Sequence, residues 1–131
     1  QAAHEKGLIH CDLKPENILI DTHGLIVISD FGLVRGATNS TIVSLQSVLG
    51  TPNYIAPEIW VGKFATRSSD IYSLGCVLFE MITGHVLFDG KTIPEIINMH
   101  SEGAKLPAHF PCEVPDGLYS ILKKILYLEF Q

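Results

Sequence analysis

Short apolar runs separated by turn residues mark the first part of the chain. Residues 18–20 (ILI) and 25–28 (LIVI) are apolar and mostly β-branched, and the residues between them, 21–24 (DTHG), favour a tight turn. This pattern predicts an antiparallel β-hairpin. Residues 8–9 (LI) predict a further short strand, and residues 1–6 before it have the pattern of the last turns of a helix that ends at a glycine.

Longer apolar patterns in the second half of the chain predict helices. Residues 71–83 are apolar on nearly every face, follow a Ser-Ser-Asp sequence at 68–70 and stop before Gly84, which predicts a helix buried at the centre of the domain. Residues 92–95 (TIPE) have the pattern of a capping box and open a helix to about His100. One apolar stripe at helical spacing predicts a last helix. The residues of this stripe are Leu118, Ile121, Leu122, Ile125 and Leu126. The predicted fold class is therefore α+β, mainly α, with a small β-hairpin and a buried central helix.

Composition narrows the classes of protein and partner. A length of 131 residues with 47% hydrophobic content fits one domain with a sizeable core. The net charge is −5 without any basic block, which argues against nucleic acid and anionic membranes as partners. The cysteines Cys11, Cys76 and Cys112 match no zinc spacing and favour reduced thiols, and the apolar run at 71–79 is too short to cross a bilayer. These features predict a cytoplasmic protein and leave the nucleus open.

Three polar and glycine-containing motifs occur in a fixed order along the chain. They are residues 10–17 (HCDLKPEN), 30–32 (DFG) and 50–58 (GTPNYIAPE). Each string taken alone would be an ordinary turn. Taken together and in this order, they resemble the motifs of protein kinases, and this resemblance implies phosphoryl transfer, which requires a positioned hydroxyl, neutralised phosphate charge and a bound cation.

The residue types in the first two motifs meet those requirements. Asp12 can accept the proton of a substrate hydroxyl, and Lys14, two residues along an extended loop, can point the same way and balance charge on the phosphoryl group. Asn17 and Asp30 offer oxygen atoms of the kind that Mg²⁺ prefers. Gly32 allows the backbone to turn sharply after the second motif.

The ordered motifs resemble the catalytic loop, the metal-binding turn and the end of the activation segment of eukaryotic-type protein kinases. The resemblance extends over essentially the whole chain and is to the C-terminal lobe, so residues 1–131 are expected to be a partial kinase domain. It implies ATP and Mg²⁺ as cofactors and proteins with Ser or Thr hydroxyls as substrates. Lys14 and Thr51 are typical of the serine/threonine class, in which the matching threonine bonds to the catalytic aspartate and lysine.

The resemblance assigns chemical roles to single residues. Asp12 corresponds to the catalytic base and Lys14 to the contact with the transferred phosphate. Asn17 and Asp30 correspond to the ligands of Mg²⁺, and Leu19 falls on an apolar spine that borders the nucleotide. Together with Lys14, these last three residues are the ones expected to contact ATP and its metal.

Other residues correspond to structural or substrate-positioning members of the family. Asp70 matches the aspartate that holds the backbone of the catalytic loop, and an ordinary charge at a helix N-terminus is the alternative interpretation. His10 and Phe31 match residues of the regulatory spine, and Glu58 matches a glutamate that pairs with a late arginine. Glu16 matches an acidic position that some kinases use for basic residues upstream of the target.

The chain departs from the family pattern at positions linked to regulation. Cys11 stands where many kinases have an arginine that pairs with an activation-loop phosphate, and cysteine has no guanidinium. Ser47 matches the commonly phosphorylated position, and Arg35 matches a second phosphate contact. A weak phosphorylation switch and an unmodified loop serine both remain open. No arginine follows Arg67, so the partner of Glu58 is expected beyond residue 131.

Two further family features are not found in the sequence. There is no glycine-rich loop and no strand lysine with a helix glutamate, which the family carries in an N-terminal lobe before the catalytic loop. The isolated chain is therefore expected to be inactive, and the parent chain is expected to be a serine/threonine kinase. The alternatives are a pseudokinase or scaffold that binds without turnover, and a gene fragment without activity of its own.

Overall fold

The structure is a computed structural model that describes residues 1–31, 35–36 and 51–127. Helices dominate this part of the chain, and two short two-stranded sheets accompany them. The helices are α1 (Ala2–Glu5), α2 (Pro57–Trp60), α3 (Arg67–Thr83), α4 (Ile93–Glu102) and α5 (Leu118–Leu126). The strands are β1 (Leu8–Ile9), β2 (Ile18–Ile20), β3 (Ile26–Ile28) and β4 (Arg35–Gly36), and short 3₁₀ turns cover Pro15–Asn17 and Pro52–Tyr54. The predicted mainly helical α+β content is confirmed.

The predicted hairpin is formed by β2 and β3, which pair in antiparallel register. Its second strand begins at Ile26, one residue later than predicted, because the turn takes up Leu25. The Oδ1 atom of Asp21 accepts hydrogen bonds from the N–H groups of His23 at 2.8 Å and Leu25 at 2.9 Å, which fixes the turn. The predicted strand β1 also forms, and it pairs with β4 in antiparallel register.

The long helix α3 begins earlier than the sequence pattern suggested. We expected the start at residues 68–70, but the helix begins at Arg67 with Thr66 as its N-cap. The hydroxyl of Ser69 accepts a hydrogen bond from the Thr66 N–H at 3.0 Å, so the capping box begins at Thr66, two residues before the predicted Ser-Ser-Asp start. The helix ends as predicted before Gly84, whose φ of +75° is a left-handed C-cap that suits glycine.

The expectation that α3 is buried on nearly every face is wrong for one face. Its buried side contains Tyr72, Gly75, Cys76, Val77 and Phe79. The opposite side exposes Ile71, Leu74 and Met81, and Met81 is 71% accessible. Burial is one-sided among the described residues because α5 packs along only one side of the helix, where Gly75 allows a close approach. A Cβ atom at Gly75 would lie 2.7 Å from the side chain of Ile125.

The hydrophobic core lies between α3, α4, α5 and the segment that precedes α2. Its buried members are Tyr54, Ala56, Tyr72, Cys76, Val77, Phe88, Ile96, Ala104, Leu122 and Leu126. The capping box of α4 forms as predicted, with the Glu95 N–H donating to Thr92 Oγ1 at 3.3 Å. The stripe predicted for α5 is buried at Leu122 and Leu126, whereas Ile121 is 53% exposed, so the buried face is narrower than the pattern.

Candidate active site

One carboxylate fixes the loop that follows β1. Asp70 lies in the first turn of α3 and is only 3% exposed. Its Oδ2 atom accepts the His10 N–H at 2.9 Å, and its Oδ1 atom accepts the Cys11 N–H at 3.0 Å. The Nε2 atom of His4 lies 2.7 Å from the same Oδ2 atom. A charged acceptor that binds two successive backbone donors holds the loop firmly against the helix.

The loop backbone has an unusual conformation at this anchor. Cys11 has a φ of +68°, in the left-handed region that residues with side chains rarely adopt. Asp30, in the second motif, has a φ of +59°. Such conformations cost about 1–3 kcal/mol each and persist only where the surroundings enforce them. For Cys11, the hydrogen bond to Asp70 is one enforcing contact.

The polar side chains of the first motif converge downstream of the anchor. Lys14 Nζ lies 3.4 Å from Asp12 Oδ2 and donates a hydrogen bond to Thr51 Oγ1 at 3.2 Å. The Asn17 side chain is buried, and its Nδ2 atom donates to the Asp12 carbonyl at 2.9 Å. The structure therefore brings Asp12, Lys14, Asn17 and Thr51 together, although Thr51 belongs to the third motif.

The hairpin connects this group to Asp30. The Ser29 N–H donates to the Asn17 carbonyl at 2.8 Å, which places Asp30 beside the loop end that carries Asn17.

His10 Nε2 donates to the Ser29 carbonyl at 2.9 Å, and since a carbonyl only accepts, the proton of His10 lies on Nε2. His10 Nδ1 is then the acceptor for the Asp12 N–H at 3.2 Å. Phe31 packs edge-on against the His10 ring, with centroids 4.6 Å apart.

The remaining predicted site residues lie in different settings. Glu58 is half-buried, and its Oε1 atom accepts a hydrogen bond from the Ser69 hydroxyl at 2.5 Å. Leu19 and Glu16 are exposed. Arg35 is described only as a backbone position in β4, and Ser47 and Gly32 lie outside the described residues.

The carboxylate of Glu80, in α3, contacts the third motif. The Tyr54 hydroxyl donates to Glu80 Oε2 at 2.5 Å, which ties the third motif to α3. Burial, together with the hydrogen bond and negative charge of Glu80 and the charge of Glu16, raises the pKa of Tyr54 above its ordinary value. Tyr54 is therefore a neutral hydrogen-bond donor at physiological pH.

Sequence reasoning missed two residues that support the site. His4 touches Asp70 and also accepts a hydrogen bond from the Arg67 side chain through its carbonyl. Ser69 bonds Glu58 and caps α3. The contacts of His4 with Asp70 and of Ser69 with Glu58 join residues 66 and 11 positions apart, and neither a spacing rule nor a motif in the sequence signals them.

The oxygen atoms that a cation would need are present in the site. The hydrogen bonds of the Asn17 side chain use its nitrogen, so its Oδ1 oxygen is the atom suited to a hard cation. Asp30 adds an exposed carboxylate at the end of the hairpin. In the described part of the chain, no cluster of three or more His, Cys, Asp or Glu residues forms a metal site by itself. A Mg²⁺ ion would therefore take much of its coordination from phosphate oxygens and water.

Comparisons with known proteins show the family of the chain. The family model described as the protein kinase domain matches residues 1–130. The chain therefore belongs to the protein kinase domain family. The chain is 41% identical over 124 residues to the serine/threonine-protein kinase PrkC of Bacillus subtilis, and this alignment covers 93% of this chain and 19% of PrkC. It is 38% identical over 133 residues to the serine/threonine-protein kinase YPK3 of Saccharomyces cerevisiae, and this alignment covers 92% of this chain and 25% of YPK3.

The chain thus spans about a fifth to a quarter of the length of these curated relatives. Among the residues that the structure describes, no helix has the length and apolar character needed to cross a membrane.

Proposed function

We propose that this chain is the C-terminal lobe of a serine/threonine protein kinase, and that its parent protein transfers the γ-phosphate of ATP to Ser or Thr hydroxyls of proteins. The single observation that carries this proposal is the contact series from Asp12 through Lys14 to Thr51. A base, a cation and a hydroxyl from two distant motifs meet at one place. The names of the similar proteins support the substrate class.

The proposed chemistry uses the groups that the structure brings together. Asp12 accepts a hydrogen bond from the substrate hydroxyl and takes its proton as the new phosphate ester forms. Lys14 lies beside Asp12 and balances negative charge on the transferred phosphoryl group. Thr51 holds the ammonium group of Lys14 from the other side. We assign Glu16, which is exposed in the turn that carries Asn17, to contacts with the protein substrate.

The cofactors follow from the same site. Asn17 and Asp30 are the residues that would hold Mg²⁺, which neutralises phosphate charge when it is bound. The buried amide of Asn17 is oriented by the Asp12 carbonyl, so its position does not depend on the cation. Leu19 is exposed on the hairpin and is proposed to contact the nucleotide.

A scaffold without turnover is the main competing function. A binding module needs the fold but has no use for a base and a cation held within 3.4 Å of each other beside a threonine. The retained set of Asp12, Lys14, Asn17 and Asp30 therefore favours the enzyme.

The test measures phosphate transfer from radiolabelled ATP to a general protein substrate by the full-length protein that contains this chain. Asp12→Asn should lower turnover by about 10²–10⁴-fold, since positioned general-base catalysis is worth that much. Asp30→Asn removes a proposed ligand of Mg²⁺ and should lower turnover at least as much. Asp89→Asn, at an exposed carboxylate outside the three motifs, is the matched control and should leave turnover near normal. Near-normal turnover in either site variant would refute the assigned role. Binding of ATP without transfer by the wild type would favour the scaffold.

A further inference from the structure

The segment that contains Thr51 is held from the side opposite to Lys14. Pro52–Tyr54 forms a short 3₁₀ turn, and three side chains of this turn and its surroundings fix it to the helical region. The Asn53 side chain donates to the Phe88 carbonyl at 2.7 Å, and Tyr54 bonds to Glu80. The third contact is made by His100, whose Nε2 atom lies 3.0 Å from the Pro52 carbonyl.

His100 is one of the most deeply buried polar residues of the structure. It lies near the end of α4, is 1% exposed and packs against the Phe88 ring with centroids 4.0 Å apart. Its Nδ1 atom is 2.8 Å from the Tyr72 hydroxyl. Because the Pro52 carbonyl can only accept, Nε2 carries the proton and Nδ1 accepts from Tyr72. Both ring nitrogens therefore have a partner, and the tautomer and the ring orientation are determined.

The surroundings keep this ring neutral. Burial lowers the pKa of His100 to about 4, and the hydrogen bond to the Pro52 carbonyl offsets part of this effect. Burial also raises the pKa of Tyr72, which is the titratable side chain in direct contact with the ring. A neutral imidazole with one donor and one acceptor matches its two partners.

We propose that His100 is a positioning residue for phosphoryl transfer, which holds the Pro52 carbonyl so that the adjacent Thr51 hydroxyl stays in place for Lys14. This inference rests on the proposed kinase function for its effect on turnover. The structure connects α4 to the candidate active site in three steps. His100 contacts the Pro52 carbonyl, Pro52 is bonded to Thr51 in the chain, and Thr51 Oγ1 lies 3.2 Å from Lys14 Nζ.

Two features distinguish a positioning role from simple core filling. An apolar side chain of similar volume would fill the space beside Phe88, but it would leave the half-buried Pro52 carbonyl with only the longer hydrogen bond from the Ile55 N–H at 3.3 Å. The hydrogen bond from Lys14 to Thr51 is also near the long end of the normal range, so a small shift of the turn would break it. A misplacement of about 1 Å far from the reacting atoms can lower turnover up to 10²-fold.

The test compares two amide variants of the full-length protein. In His100→Gln, the side-chain nitrogen can reach the place of Nε2 and donate to the Pro52 carbonyl. In His100→Asn, the shorter side chain can reach only the place of Nδ1 and the Tyr72 hydroxyl. Both variants bury an amide in place of an imidazole, so general damage to the core should be similar. We expect kcat to fall by roughly tenfold or more in the Asn variant and by about threefold or less in the Gln variant, with KM for ATP nearly unchanged.

A third variant and a second measurement separate this inference from the proposed function. Tyr72→Phe removes the other partner of the ring and should reduce stability while kcat stays near the wild-type value. Hydrogen exchange of the backbone at residues 51–55 should become faster in the Asn variant than in the Gln variant, whether or not the protein transfers phosphate. Equal kcat losses in the Asn and Gln variants, or equal exchange in this segment, would overturn the positioning role. Absence of transfer by the wild type would refute only the proposed function, since the exchange comparison still decides the role of His100.

Discussion

The loop at residues 10–17 with its hairpin and the helical region after residue 51 are stabilised in different ways. The first region is held by directed polar contacts, above all those of Asp70 with His10 and Cys11, while its hairpin exposes most of its apolar side chains. The helical region is held by a continuous apolar core around α3 and α5, in which Leu122 is fully buried. Local precision in the site therefore comes from few hydrogen bonds, and most of the stability comes from apolar burial.

The two regions meet at α3 and at the segment from Thr51 to Tyr54. Asp70 belongs to the first turn of α3 but holds the loop after β1. Thr51 contacts Lys14 on one side, and the turn at Pro52–Tyr54 contacts the helical core on the other. Variants on each side of this boundary should therefore affect stability and turnover in different proportions.

The largest effect is expected from Asp70→Ala. It removes the Asp70 acceptor from the N–H groups of His10 and Cys11; the His10 N–H is buried, and leaving a buried donor unsatisfied costs about 1–3 kcal/mol, to which the partly buried Cys11 N–H adds a smaller loss. Hydrogen exchange at these two amides and the phosphate transfer assay measure the change together. Asp116→Ala, at an exposed carboxylate, is the control. If protection at His10 and Cys11 survived in Asp70→Ala, the anchoring role would be refuted.

The second prediction concerns the apolar region alone. Leu122→Ala removes a fully buried side chain between α3 and α5 and should lower the free energy of unfolding by about 2–5 kcal/mol. Turnover of the folded protein, measured well below the unfolding temperature, should stay near normal because the site lies in the other region. Ile121→Ala, at the exposed neighbour, should change stability by less than about 1 kcal/mol. A loss of turnover in Leu122→Ala without loss of folded protein would show that the two regions are not separable.

A third prediction uses the pH dependence of stability. The pKa of His100 is about 4 in the folded state, against an ordinary value of 6.5. Well above pH 6.5 the imidazole of His100 is neutral in both the folded and the unfolded state, so its contribution to the free energy of unfolding is fully present. As the pH falls from 6.5 to 4, the unfolded state binds a proton first, and this contribution is lost over that window. Between pH 7 and pH 5 the loss from this residue should be about 2 kcal/mol.

Urea unfolding of the wild type and of His100→Gln at both pH values isolates this contribution from that of the carboxylates. The loss of unfolding free energy between pH 7 and pH 5 should be smaller in His100→Gln than in the wild type by about 2 kcal/mol. Identical losses in the two proteins would mean that His100 is not kept neutral by burial.

The smallest effect is expected from Ser47→Ala, which probes regulation. Ser47 lies outside the described residues; the family resemblance leads us to expect Arg35 as one cationic contact for a phosphate there, with Cys11 in place of a second. A single partly exposed ion pair is worth on the order of 1 kcal/mol. Turnover of the phosphorylated full-length protein should therefore exceed that of Ser47→Ala by less than about tenfold. A hundredfold difference with unchanged stability would show that another cation replaces the missing arginine.

Local sequence patterns predicted several elements and the groups that form the candidate site. The hairpin at Ile18–Ile28, the capping box at Thr92 and the C-cap at Gly84 depend on residues a few positions apart, and all three form. The motif around Asp12 and Lys14 also identified side chains that lie close together in the structure. These features were accessible because turns, caps and strand alternation are properties of short stretches of chain.

The tertiary structure alone decided how those stretches support one another. The sequence names Asp12, Lys14 and Thr51 but carries no signal that His100 holds the turn beside Thr51 or that His4 contacts Asp70, because these partners are 48 and 66 residues apart. The pattern of α3 likewise indicates an apolar helix and does not show which of its faces α5 covers. Periodicity describes one element at a time, whereas burial and long-range hydrogen bonds depend on which elements pack together and at what distance.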